Sequence, residues 1–400
     1  MKTLTSPLTS VDLLWDTLGF LPVPGGSAPI GLEEKSLERF LKANSPDWHS
    51  YYSREAPFHQ VTIAPFHLMR YAVTNGHYAL FMAQDGYTNP DLWTPDGWAW
   101  LLRTKRTQPL HWNTPQFAGE DRPVVGVSWY EATAFARWAS LQTGHNLRLP
   151  SEVEWEWAAR GENTRSFYPW GGAWDAAKLN SGYSDETHPT IGTTTPVGMF
   201  SPAGDAPLGH GEMLGQVFEW MNSAFRPYPY DAHDGREDRY APEMRVRRGG
   251  SWLDGKFAHR VTTRYYFPQH YSDKTDGFRL AAGGDALPLP PRPPYDLVVY
   301  GRTTFCPDLL HTIRWLHAWN VPYRQLQLDR DEEVALRLDA WLGARTIPTL
   351  VVAAWGDVLP ITPPTGVDFS HLRNTDRGAM LHEPDESTLR AFLVRHGFLT

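Results

Sequence analysis

Apolar residues recur at helical spacing in two adjacent stretches. In SWYEATAFARWASLQTG (128–144), Ala132, Phe135, Ala136 and Trp138 make one face, Ser128 and Glu131 form a capping-box pair, and Gly144 ends the run. PSEVEWEWAARG (150–161) repeats the plan with Ser151 and Glu154. VTNGHYALFMAQDG (73–86) predicts a third helix behind Thr74 as its N-cap. HQVTIAPFHL (59–68) predicts a strand broken by proline, and DLVVY (296–300) a buried strand. Residues 1–60 read as mixed and turn-rich, and NPDLWTPDGWAWLLRTKR (89–106) as a turn-like surface insertion. Between 162 and 283 helical periodicity fades, and glycine, proline and aromatic clusters take over.

At 400 residues the chain exceeds one ordinary core, and roughly 150 residues per domain predicts two or three units. The texture changes at GGDALPLPPRPPY (283–295), a proline-rich stretch that suits a stiff exposed linker. The boundaries expected are 15–283, a linker over 284–294, and 295–400. The 18 tryptophans, 33 glycines and 34 prolines change the picture of the larger part. Buried indole N–H groups need partners, so many tryptophans among many turn residues predict irregular backbone packed around aromatic anchors.

A net charge of −8 argues against nucleic acid or an anionic membrane as a partner. No apolar run approaches the roughly 20 residues of a membrane span, and the N-terminus does not read as a signal peptide. One cysteine in the whole chain fits a reducing, cytoplasmic setting.

Nine segments fall in a recognisable order: LPVPGGSAPIG (21–31), APFHLMRYAVTNGHYALFM (64–82), RPVVGVSWYEATAFARW (122–138), RLPSEVEWEWAARG (148–161), YPWGG (168–172), TPVGMFSPAG (195–204), GEMLGQVFEW (211–220), RVRRGGSW (245–252) and DGFRLA (276–281). Together they resemble the sulfatase-modifying-factor family, which includes formylglycine-generating enzyme. The resemblance implies an α+β, C-type-lectin-like fold of small sheets, two amphipathic helices and much irregular structure. It also implies a cysteine pair just after the GGSW motif that binds copper and activates oxygen. Here that stretch reads SWLDGKFAHRVTTRYYF (251–267), without cysteine. Thiolates serve there both as soft ligands and as redox groups, so neither copper nor formylglycine synthesis is expected. The family's sulfoxide synthases take iron through a His-x-x-x-His-x-Glu pattern in a further helical domain. That pattern is absent, and iron is not expected either.

Calcium is the cofactor that the resemblance does imply. Its ligands fall on Glu212, Gly215, Val217 and Glu219, with a second, looser position near Asn180 and Asp185. Glu219 has an alternative role as a buried acceptor in a turn. The surface bordering the family's substrate pocket falls on Trp252, Asp254, Lys256, His259 and Arg264, together with Tyr265, Tyr266 and Tyr271. Mixed aromatic and charged side chains on loops suit recognition of a protein or peptide, although Tyr265 and Tyr266 also read as core residues.

DLVVYGRTTFCPDLLHTIRWLHAWNVPYRQLQLD (296–329) predicts strand, turn, helix and strand, with ARTIPTLVVA (344–353) following and LHEPDESTLRAFLVRHG (381–397) supplying a last helix. These segments resemble a glutaredoxin-like, thioredoxin-fold α/β domain, with an insertion near 360–380. Cys306 stands where strand hands over to helix, facing N–H groups that favour a thiolate, and Pro307 suits the first helical position. Arg302 adds a nearby cation, and Ile347-Pro348 would line the groove opposite with Pro348 in cis. Position 309 is Leu where a dithiol motif has its second cysteine. Only a monothiol route is left, with glutathione as co-substrate and a glutathionylated protein as partner. Two functions follow: a non-catalytic ligand-binding module with a thiol unit attached, or an oxidoreductase using Cys306 with the large unit selecting its substrate.

Overall fold

The computed structural model describes residues 11–43, 49–162, 166–283, 295–302, 306–319, 321, 323–329, 332–342, 347–354, 357–362 and 373–399. The proposed linker at 284–294 and part of the insertion near 360–380 lie outside these. Contacts divide the chain into two units, one of Met1–Trp93 with Arg106–Ala286 and one of Thr94–Lys105 with Leu287–Thr400.

The first unit begins with α1 (Val11–Leu18), β1 (Phe20–Val23), β2 (Gly26–Ile30), α2 (Glu34–Ala43), α3 (His49–Ser53), β3 (His59–Ile63) and β4 (Phe66–Met69). The turn-rich expectation for 1–60 is thus corrected: its described part holds three helices and two complete strands. The strand expected over 59–68 is two strands, because Ala64-Pro65 interrupts it. Next come α4 (Asn75–Ala83), α5 (Pro95–Thr104), α6 (Trp129–Thr143), β5 (Leu147–Arg148), α7 (Glu152–Arg160) and β6 (Phe218–Ala224), with α5 grouped in the second unit. β7 (Arg245–Arg248), β8 (Tyr265–Phe267), β9 (Asp276–Gly277) and β10 (Ala281–Ala282) complete the run.

Both capping boxes form: Ser128 Oγ accepts from Glu131 N at 3.3 Å and Ser151 Oγ from Glu154 N at 3.3 Å, each Glu reaching back to the cap N–H at 2.8 Å. Gly144 ends α6 with φ +69°, a left-handed turn that glycine adopts without steric penalty. The turn-like reading of 89–106 is a second correction. Thr94 Oγ1 caps α5 through Gly97 N at 3.1 Å, Pro95 takes N1, and buried Gly97, Trp100 and Leu101 share one face. Proline and glycine looked like turn signals but stand at positions a helix start tolerates.

The strands form small sheets, β1-β4-β10-β5, the pair β2-β3, and β8-β7-β6-β9. The indole groups bind backbone between them: Trp129 donates to Met221 O at 2.9 Å, Trp157 to Pro24 O at 2.8 Å, and Trp220 to Val127 O at 3.0 Å. These bonds fix long loops where few ladder bonds exist.

The second unit contains β11 (Asp296–Gly301), α8 (Pro307–Ala318), β12 (Arg324–Gln327), α9 (Glu332–Leu342), β13 (Thr349–Ala353), β14 (Thr375–Asp376), β15 (Met380–His382) and α10 (Glu386–Arg395). Its sheet runs β12-β11-β13-β15-β14, with β11 parallel to β12 and antiparallel to β13. Alternation sends Leu297 and Val299 to a core with Leu309, Leu316 and Phe392, and Val298 and Tyr300 to one with Val334 and Leu338. Both faces are covered, which accounts for the unbroken apolar run. Among the described residues no helix is long and apolar enough to cross a membrane.

Candidate functional site

Helix α7 presents two wholly buried carboxylates one turn apart. Glu152 accepts from Arg264 Nε and Nη2, both at 2.7 Å, from Arg248 at 3.3 Å, and lies 3.6 Å from Arg236. Glu156 accepts from Arg248 at 2.9 Å, pairs with Arg160 at 3.0 Å, and takes the Gly31 N–H at 2.8 Å. Burial alone would raise the Glu152 carboxyl, but the guanidinium groups of Arg264 and Arg248 outweigh it and hold the carboxyl below its ordinary range. This network pins the segment from 245 to 264 onto α7. The sequence reading missed it. The signal was glutamate at i and i+4 among tryptophans, with the arginine-rich RVRR strand to follow.

The network changes the expected recognition surface. Arg264 is buried as the partner of Glu152, so it cannot meet a ligand. Trp252 is also buried, packed against Phe117 with its indole N–H on Lys274 O at 3.2 Å. His259 is enclosed, Nδ1 facing Gly255 O at 2.9 Å and Nε2 facing Ser251 O at 3.1 Å. Burial pulls its pKa down, against the opposing pull of Asp254. The ring fits because Gly250, at φ +71°, has no Cβ; one built there would meet the imidazole at 2.7 Å. Tyr265, Tyr266 and Tyr271 are half-buried.

What faces outward is narrower: Leu253, 50% exposed, exposed Lys256 and half-buried Asp254. The Lys256 ammonium lies 4.5 Å from the Tyr183 ring and 5.5 Å from that of Trp174. Asp254 O accepts from Gly182 N at 2.8 Å, which joins this loop to the segment around a cavity of about 260 Å³. Leu179, Tyr183, His188, Ile191 and Phe200 line that cavity. Sequence reading missed this neighbouring wall, because nothing local couples 183 to 256.

Both carboxylates among the expected calcium ligands already have protein partners. Glu219 gives both oxygens to Arg279 at 2.7 Å, and Trp155 Nε1 donates to the same carboxylate at 2.8 Å. Glu219 is thus a buried acceptor, the alternative role read for it. Glu212 takes Gly198 N at 3.0 Å, and burial pushes its carboxyl up to about 7. Gly215 packs against Asn180, and Val217 is buried. Asp185 is turned into its own exposed turn with Thr187 and His188. Asn180 is different: its amide N–H₂ group donates to Thr193 O at 2.8 Å and Gln216 Oε1 at 3.0 Å, while its Oδ1 is buried without a partner. Thr194 Oγ1 is likewise buried and unpartnered. Both are oxygens of the kind a hard cation takes.

In the second unit Cys306 is half-buried directly before α8, its carbonyl accepting from Leu310 N at 3.0 Å. Pro307 opens the helix, and Arg302 is exposed. Arg373 stands 3.3 Å from Asp308. The Ile347–Pro348 peptide is cis, and Pro348 O accepts from Glu383 N at 2.8 Å.

A sulfatase-modifying factor enzyme 1-like domain matches residues 16–283. A hercynine oxygenase of Mycolicibacterium smegmatis is 33% identical over 251 residues, 58% of this chain and 53% of that protein. The inactive Cα-formylglycine-generating enzyme 2 of Bos taurus is 30% identical over 310 residues, covering 68% of this chain and 90% of its own. The formylglycine-generating enzyme of Streptomyces coelicolor is 32% identical over 273 residues, 58% and 82% of the two chains. The chain spans about half the length of the hercynine oxygenases it matches.

Proposed function

Because the chain belongs to the sulfatase-modifying factor enzyme 1-like family over residues 16–283, we propose that its larger unit recognises a protein or peptide ligand without catalysis. The observation that carries this reading is the loop from 251 to 267, which contains no cysteine and is held rigid from beneath. A fixed loop carrying Leu253, Asp254 and Lys256 beside an aromatic-walled cavity suits recognition, since little conformational freedom is lost on binding. The test is selection of random peptides displayed on phage against the full chain. Enriched peptides should bind Lys256→Glu and Leu253→Asp about tenfold more weakly, with melting unchanged. Absence of enrichment, or binding indifferent to both variants, contradicts the reading.

We assign residues 295–400 a glutaredoxin-like fold, on the order of its strands and helices, the parallel β11–β12 pair and the position of Cys306 before α8. A second function rests on that thiol: cytoplasmic monothiol exchange, with the larger unit selecting the substrate. The Cys306 thiolate attacks a protein–glutathione mixed disulfide and the protein thiolate leaves. A second glutathione thiolate then attacks the Cys306–glutathione bond, restoring Cys306 and forming oxidised glutathione. Turnover of a glutathionylated peptide by the wild type but not by Cys306→Ser supports this; equal rates contradict it.

A structural calcium would be held by Asn180 Oδ1 and Thr194 Oγ1, linking two loop segments. A chelator should then lower the melting temperature of the wild type and leave Asn180→Ala unaffected.

A further inference from the structure

Arg279 lies between β9 and β10 and is wholly buried. Its Nε and Nη2 each donate to a different oxygen of Glu219 at 2.7 Å. Nη1 donates to Arg70 O at 2.8 Å and Met69 O at 3.1 Å. Nη2 also reaches Gly211 O at 3.1 Å and Glu212 O at 3.3 Å. One carboxylate and four backbone carbonyls surround the guanidinium. This is the all-oxygen donor set that a hard cation takes from protein. Here all three nitrogens of a planar, permanently charged group occupy it. The carboxylate is further fixed by the indole of Trp155 at 2.8 Å.

We propose that Arg279 is the resident cation of the Glu219 site, and that the segment from 211 to 219 takes no calcium. A calcium ion taking the Glu219 carboxylate and these carbonyls would have to share them with the guanidinium or displace it, and a buried charge that loses its partner is strongly destabilising. A cation attached to the chain also cannot be removed by a chelator. The end of β4 at residues 69–70, the segment between β9 and β10, and residues 211–212 are thus cross-linked by the sequence itself. This inference is independent of the recognition reading and of the calcium placed at Asn180.

The test counts calcium by equilibrium dialysis on the full-length wild type and on Asn180→Ala. Asn180→Ala should bind no stoichiometric calcium, and chelator should not shift its melting temperature. A wild type that binds none supports the inference while removing the Asn180 calcium. An Asn180→Ala protein that retains one tightly bound calcium, with a chelator-sensitive melting temperature, would overturn it. In a second arm Arg279→Gly should melt lower and be restored by methylguanidinium but not by calcium; restoration by calcium alone also overturns the inference. Should Arg279→Gly fail to fold, the count on Asn180→Ala still decides.

Discussion

Glu152 accepts both arms of Arg264, each at 2.7 Å, with neither side chain exposed. The pair ties a helix to a loop 112 positions further along the chain. Replacing Glu152 with Gln leaves the guanidinium groups of Arg236, Arg248 and Arg264 without their shared charge, and breaking a buried pair costs about 3–5 kcal/mol. Denaturant unfolding of Glu152→Gln should show a loss of that order. A loss under about 1 kcal/mol would mean that solvent reaches the network. Because the folded carboxyl titrates below its ordinary value of 4.5, its contribution is complete above that pH and fades as pH falls below it.

Glu212 has the opposite sign. Burial pushes its carboxyl from an ordinary 4.5 up to about 7. Its contribution is full below about pH 4.5 and is lost as pH rises through 7. Between those limits the wild type should lose roughly 3 kcal/mol relative to Glu212→Gln, whose amide keeps an acceptor for Gly198 N. Unfolding free energies of both proteins at pH 5 and pH 8 measure the difference, and parallel curves would contradict it.

Gly250 and His259 form a coupled pair. Gly250→Ala puts a methyl group about 2.7 Å from the imidazole at a φ of +71° that other residues rarely adopt. It should cost about 1–3 kcal/mol, and His259→Ala in the same chain should recover part of this. A double-mutant cycle on melting separates the steric term, which His259→Ala relieves, from the backbone term, which it does not. Additive losses would place the ring elsewhere.

Local rules made the helices legible: Ser128, Ser151 and Thr74 cap where side-chain chemistry places them, and DLVVY reads as a covered strand because both its faces are apolar. Long-range pairing was not legible. Arg264 looked like a surface cation because no local pattern reports a carboxylate 112 positions away. Trp252 and His259 fall on the border of the family's pocket by resemblance, and no local pattern reports that both are buried. The resemblance implied an ion at Glu219, while the guanidinium paired with it, that of Arg279, lies 60 positions downstream where no local pattern reports it. Helix α5 was missed because Pro95 and Gly97 break helices in the middle but not at the first turn.

We propose that the larger unit keeps its family's fold without the thiol oxidation of formylglycine-generating enzyme. The most direct test incubates the full-length protein, supplied with copper and oxygen, with a cysteine-containing sulfatase peptide, and follows the peptide by mass spectrometry. Recovery of the cysteine unchanged, or only as a mixed disulfide that Cys306→Ser abolishes, is the expected result. Conversion of the cysteine to formylglycine would contradict the account.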